Sequence, residues 1–208
     1  MEKSILLSIV FIPTIGAFLL PFFGKISKLF RNIMALLFSS SSFFLSLLLI
    51  QSIFVNDQII QIDRHMPLGF SSIFVGDKLA LFMALVSSFI SAVIVLYSFG
   101  YIEQCNNQNE YYLMVVLFLG AMMGLVFAGN LIVLYVFWEI TSLVSWRLIG
   151  FYREKHQVLR ADKSFLMTVF GALMMLLGFM MLYNQAGSFD LDAIRHSLGG
   201  HPVSGLAV

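Results

Sequence analysis

Apolar residues along this chain fall into six long blocks, residues 4–23, 33–55, 79–102, 111–128, 131–152 and 164–183, separated by short polar stretches. Each block comes close to the roughly 20 helical residues that cross a hydrocarbon core of about 30 Å. Backbone amides in lipid must be paired within their own segment, which predicts helices rather than strands. The blocks are also too long and too continuously apolar for the alternating strands of an outer-membrane barrel. The pattern therefore predicts an all-α membrane protein of about six transmembrane helices.

The polar punctuation refines this layout. Gly129-Asn130 forms a tight turn that makes the fourth and fifth helices antiparallel neighbours. The longest early loop, 56–78, mixes polar residues with Pro67-Leu68-Gly69 and is read as irregular. After Tyr183 the chain turns polar; residues 190–198 are expected to form a short surface helix capped by Ser188, and Gly199-Gly200-His201-Pro202 a loop. Lys3 followed by an apolar run resembles a signal peptide. The run is about 20 residues long, is broken by Pro13 and ends on Pro21-Phe22-Phe23 rather than on small residues, so it is read as a retained helix.

Composition supports the bilayer as solvent. The 208 residues are 60% hydrophobic and 11% charged, against about a quarter charged in soluble domains. A net charge of +1 gives no reason to expect nucleic acid. The lone Cys105 excludes an intrachain disulfide, and no Cys/His spacing suggests a metal. Lys25, Lys28 and Arg31 in the first turn, and Arg153, Lys155, Arg160 and Lys163 in the fifth, lie on the same side. Lys3, Arg64, Lys78 and Arg195 lie on the other. The first set marks the cytoplasmic side.

Two ionisable residues fall well inside a block, Glu139 and Arg147, both on the fifth. A charge at the bilayer centre costs about 2.5–3.5 kcal/mol on insertion scales, so it persists where a partner, a water path or a function offsets that cost. Glu139 lies near half depth. A carboxyl that exchanges between a protonated, desolvated state and an ionised state can carry a proton. Thr141, Ser142 and Ser145 supply hydroxyls on the following turns that can hold water or relay hydrogen bonds. The competing reading is an acid paired with a neighbouring helix for assembly. Arg147 lies eight residues beyond Glu139, which is about 12 Å of rise and about 80° of rotation away, so the two are not expected to pair. Arg147 either extends its head to the cytoplasmic interface or takes part in conduction. Lys163 at the start of the sixth block is either an interfacial anchor or the mouth of a polar path.

Other features have plainer readings. Gly120 and Gly124 give a GxxxG spacing that permits close internal helix packing. His65, His156, His196 and His201 lie in loops or the tail. Met174-Met175 and Met180-Met181 are lipid or core contacts.

The string Asn130-Leu-Ile-Val-Leu-Tyr-Val-Phe-Trp-Glu139-Ile-Thr-Ser-Leu, followed by Leu148-Ile149-Gly150-Phe151-Tyr152, resembles the proton-translocating module shared by Mrp-type cation/proton antiporters and the antiporter-like subunits of respiratory complex I. Upstream, Val75-Gly76-Asp77-Lys78-Leu79 and Leu96-Tyr97-Ser98-Phe99-Gly100-Tyr101-Ile102 resemble the N-terminal module of the chain-5 type. Downstream, Ala161-Asp162-Lys163-Ser164-Phe165-Leu166-Met167-Thr168-Val169-Phe170-Gly171 is closer to the large A subunit of Mrp antiporters, because complex I commonly has Arg in place of Val169.

The resemblance implies an organisation. Residues 1–110 would hold the N-terminal helices, with the chain-5-type module over about 65–110. Residues 111–185 would begin the antiporter module, and 186–208 would be a polar tail. It also implies a subunit, or a fragment of one, of a sodium or potassium/proton antiporter in a bacterial inner membrane, with small hydrophobic partner subunits and no cofactor or enzymatic activity of its own. The alternative is a membrane-arm subunit of a complex I-like oxidoreductase or membrane-bound hydrogenase. Glu139 would be the central proton-path residue and Lys163 a second path residue, with Thr141, Ser142, Ser145 and Arg147 in support. Two departures stand out. Family members place an apolar residue near Arg147. They also continue through about fourteen helices, with essential lysines on a broken seventh, so this chain is expected to hold one half of an ion path.

Overall fold

A computed structural model describes residues 2–65, 71–105 and 107–198, with side chains omitted at a few of these positions. Seven α-helices and one hairpin follow in the order α1 (Glu2–Ile26), α2 (Lys28–Ile50), β1 (Ile60–His65), β2 (Ser71–Gly76), α3 (Lys78–Tyr101), α4 (Gln108–Val126), α5 (Leu131–Ile149), α6 (Lys155–Ala186) and α7 (Leu191–Leu198). A π-helical turn, Gln51–Val55, extends α2. Among the described residues, α1 to α6 are long and apolar enough to cross a membrane. This is the all-α, six-span architecture that the hydropathy predicts.

Pro13 and Pro21 lie inside α1, which runs through both. A helical proline offers no N–H to the carbonyl four residues back. At Pro13 that carbonyl belongs to Ile9, and the buried Ser42 hydroxyl of α2 donates to it at 3.2 Å. The defect in one helix thus becomes a polar contact with the next. Ser39 and Ser91 continue the seam between α2 and α3, hydroxyl to hydroxyl at 3.2 Å. Small residues bring these backbones close where lipid offers no hydrophobic drive for association.

α4 is the central helix, packed on α1, α5, α3 and α2, whereas α6 packs chiefly on α5. The two glycines of α4 serve different neighbours. A side chain at Gly120 would meet the Thr14 backbone nitrogen of α1 at 2.8 Å, and one at Gly124 would run into the Phe137 ring of α5. The GxxxG spacing is therefore internal packing, as expected. One core cluster (Leu6, Ile9, Leu49, Phe74, Leu119, Met123) and a second (Ala17, Leu20, Ala35, Val95, Tyr112, Val116) fill the bundle.

The loop 56–78 is not irregular. β1 and β2 pair antiparallel with Ile60 opposite Gly76 and Ile62 opposite Phe74. Ile60, Ile62 and Phe74 are buried while Gln61 and Asp63 are exposed, the period-two alternation of a half-buried strand. The expectation of helices over strands holds within lipid; the hairpin forms in the connection outside the spans. Val75 N–H donates to the Phe127 carbonyl at 2.8 Å, which ties the hairpin to the α4–α5 turn. Pro67-Leu68-Gly69 and Gly199-Gly200-His201-Pro202 lie outside the described residues.

Asp77 and Asn130 cap α3 and α5 through their side-chain oxygens, which accept from Ala80 N–H at 2.7 Å and Ile132 N–H at 2.8 Å. Gly187, at φ 69°, ends α6 in the left-handed conformation that glycine adopts without strain. The expected surface helix forms as α7. Its first turn bonds to the Asp190 carbonyl, while the Ser188 hydroxyl accepts from Asp190 N–H at 3.1 Å. Ser188 therefore stabilises the entry to α7 rather than its first helical amide.

A candidate ion-path site on the fifth helix

Asn130 fixes both the start of α5 and its orientation. Its oxygen caps the helix and its amide donates to Asp190 at 2.6 Å. From that start, Glu139 lies near the middle of the 19-residue helix. Its carboxyl is half-buried, and the Tyr135 hydroxyl one turn earlier hydrogen-bonds to it. Sequence reading passed over Tyr135, although the i, i+4 spacing from Tyr135 to Glu139 places both on one helix face.

The three nearby hydroxyls are committed to their own helix. Thr141 and Ser142 donate to the Trp138 carbonyl at 2.7 and 3.1 Å, and Ser145 donates to the Thr141 carbonyl at 2.7 Å. Serine and threonine in helices often bond back in this way. Each keeps oxygen lone pairs, so they can accept hydrogen bonds from water but have no spare proton to donate in this arrangement.

The position of α6 follows from three contacts. Trp146 donates its indole N–H to Asp162 at 3.0 Å, its ring lies 5.4 Å from that of Phe165, and a side chain at Gly150 would meet Cβ of Ala161 at 3.3 Å. These define an antiparallel register. Two turns before Trp146, Glu139 is level with about residue 171 of α6, in the stretch that holds Val169 and the buried Ala172. Lys163 is level with Trp146 and Arg147 instead, about 12 Å of rise from Glu139. It is exposed and has no charged partner among the described residues. α6 begins at Lys155, so Lys163 lies two turns inside the helix rather than at its start.

Arg147 turns away from Glu139 and pairs with Glu110 in the first turn of α4. The other oxygen of Glu110 accepts from Arg153 at 2.9 Å. Arg153 holds this position from a left-handed backbone, φ 56°. Arg147 thus meets a carboxylate near the interface rather than extending a solvated head. Glu110 was missed because the fourth block reads as starting at Tyr111; the helix begins at Gln108 and carries Glu110 inside it. Beside this group, Tyr152 donates to the Tyr101 hydroxyl at 3.2 Å, and that bond pushes its phenol up to about 12.

A six-span bundle whose fifth helix holds a mid-membrane acid defines an antiporter-like membrane protein, and similarity to known proteins agrees. The family model described as NADH:quinone oxidoreductase/Mrp antiporter, transmembrane, matches residues 128–205. The model for the N-terminus of chain 5 of NADH-ubiquinone oxidoreductase (complex I) matches residues 65–112. The large A subunit of the Na(+)/H(+) antiporter of Alkalihalophilus pseudofirmus is 46% identical over 121 residues, 57% of this chain and 15% of that protein. The corresponding A1 subunit of Staphylococcus aureus is 41% identical over 123 residues, 58% of this chain and again 15% of the relative. The Mrp complex from a Dietzia species matches with a TM-score of 0.75 at 25% identity, over 93% of this chain and 20% of the chain compared. The membrane-bound sulfane sulfur reductase, an archaeal respiratory membrane complex, shares the fold with a TM-score of 0.82 at 18% identity, over 92% of this chain and 39% of its own.

The chain belongs to the family of antiporter-like subunits that Mrp antiporters share with NADH:quinone oxidoreductases, and it corresponds to the N-terminal part of the large A subunit of Mrp antiporters. The matched segment amounts to 15% of the length of these curated relatives.

Proposed function

We propose that this chain contributes part of a proton path to a multi-subunit monovalent cation/proton antiporter of a bacterial inner membrane. The observation that carries this reading is Glu139: a half-buried carboxyl in mid-span on α5, in a segment that matches relatives named as large A subunits of Na(+)/H(+) antiporters. Glu139 takes up a proton from one side and releases it to a polar path between helices. Tyr135 steadies its ionised form by hydrogen bonding. The lone pairs of Thr141, Ser142 and Ser145 accept from path waters. Lys163, two turns nearer the basic end, is the cation at the mouth of the path. Arg147 acts through its pair with Glu110 to fix α5 against α4. Sodium or potassium is the counter-ion, and small hydrophobic subunits complete the path.

Complementation tests this. The complete operon, placed in an antiporter-deficient strain, restores sodium tolerance. Glu139→Gln abolishes it while the subunits still co-purify. Full tolerance with Glu139→Gln overturns the assignment.

A second reading rests on the fold shared with an archaeal respiratory complex. In it the same helices serve a redox-driven membrane arm. Flavin or iron–sulfur subunits that co-purify with the chain favour that reading, and small hydrophobic subunits on their own favour the antiporter.

A further inference from the structure

A groove of about 730 Å³ runs between α3 and α5 with α4 as its floor. Its wall on α3 extends from Ser87 to Tyr101, about 20 Å of helix rise. Met122 lines its deep end and Leu148 its shallow end. Ile94 is 45% exposed, so the groove opens sideways, toward the bilayer of a spanning bundle. At its shallow end stand Tyr101 and Tyr152, amphipathic rings of the kind that sit at headgroup level.

Next to those tyrosines, Glu110 is shared between Arg147 and Arg153, so one carboxylate faces two guanidiniums and a positive charge is left over. Arg153 spends Nη2 on Glu110; its Nε and Nη1 hydrogen-bond to no other described residue, and its side chain is 54% exposed. The nearest acid in sequence, Glu154, is turned to His156 at 3.3 Å. This end of the bundle also carries Lys25, Lys28 and Arg31, the side that would face an anionic leaflet.

Size separates the possible occupants. A helix about 10 Å across and about 20 Å long fills about 1,600 Å³, twice the groove. An extended hydrocarbon chain matches its length and its narrowness. We propose that the groove seats one acyl chain of an anionic glycerophospholipid, whose phosphate is held by Arg153 beside the Arg147–Glu110 pair. Long apolar contact supplies the hold, and the surplus arginine charge selects for an anionic headgroup.

Native mass spectrometry of the delipidated complex, purified with the subunits that accompany it, tests this. The probes are phosphatidylglycerol and phosphatidylcholine with identical chains. The wild type retains phosphatidylglycerol about fivefold more tightly, the factor expected for one interfacial arginine. Arg153→Gln removes that preference and leaves both lipids binding at the phosphatidylcholine level. Ile94→Trp fills the groove from an exposed position and abolishes retention of both lipids, with the thermal midpoint unchanged. Equal binding of the two lipids by the wild type, or retention unaffected by Ile94→Trp, overturns the proposal. A photoreactive residue at position 94 that forms adducts with polypeptide rather than with lipid overturns it as well.

Discussion

Arg147 of α5 and Glu110 of α4 form an ion pair across the interface between two membrane helices, thirty-seven residues apart in sequence. The partners are not equivalent. Glu110 also serves Arg153, whereas Arg147 has Glu110 alone among the described residues. Glu110→Gln therefore strands two cations. A fully buried broken pair costs about 3–5 kcal/mol, and partial exposure here reduces that to about 1–2 kcal/mol. Arg147→Leu leaves Glu110 paired with Arg153 and restores the apolar residue usual in the family, so it costs less than about 1 kcal/mol. Thermal midpoints of the two purified variants check the order. Equal losses would contradict the asymmetry.

Glycine positions give a sharper test of packing. A methyl at Gly120 meets the Thr14 backbone, which cannot rotate away, while nothing lies within 4 Å of one at Gly178. Gly120→Ala should cost about 1–3 kcal/mol by overpacking. Gly178→Ala should be neutral or stabilising by about 0.5–1 kcal/mol through helix propensity. Midpoints in a detergent unfolding series would separate them, and equal midpoints would rule out the close α1–α4 approach.

Asn130 couples two termini, capping α5 while donating to Asp190. Asn130→Ala removes both bonds and should cost about 1–2 kcal/mol. Asn130→Asp keeps the cap oxygen and sets a carboxylate against Asp190. Both variants should speed amide exchange in Leu191–Leu198, with Asn130→Asp still protecting the first turn of α5. Unchanged exchange in α7 would mean that the clasp does not hold that helix.

Tyr152 ionises near pH 12 rather than 10 because its hydroxyl is bonded to Tyr101. The shift favours the neutral phenol in the folded state. Its contribution to stability is complete below pH 10 and is lost as pH rises through 12. In a titration followed by tyrosinate absorbance, Tyr101→Phe should move one tyrosine back toward 10. An identical titration curve would show that the bond does not form.

The spans were legible because length and hydropathy determine them in lipid, where each helix must satisfy its own amides. The hairpin was not, because its alternation covers only Ile60, Ile62 and Phe74 on two strands apart in sequence. Glu139 was legible as a rare charge in an apolar helix and from the motif around it. Its surroundings were less so. The return of Thr141, Ser142 and Ser145 to the backbone follows a general habit of helical hydroxyls and could have been anticipated. The partner of Arg147 could not, since Glu110 sits at a boundary that hydropathy places one residue too late. The level of Lys163, beside Trp146 rather than Glu139, depends on the α5–α6 register that the Trp146–Asp162 bond reveals.

The central claim is that Glu139 carries the proton. Sodium-driven collapse of a pH gradient, followed by a fluorescent probe in everted membrane vesicles holding the complete complex, tests it most directly. The account predicts that Glu139→Gln abolishes the sodium response with normal subunit content, and that Glu139→Asp, which keeps a titratable group, recovers part of it. A wild-type response from Glu139→Gln vesicles would contradict the account.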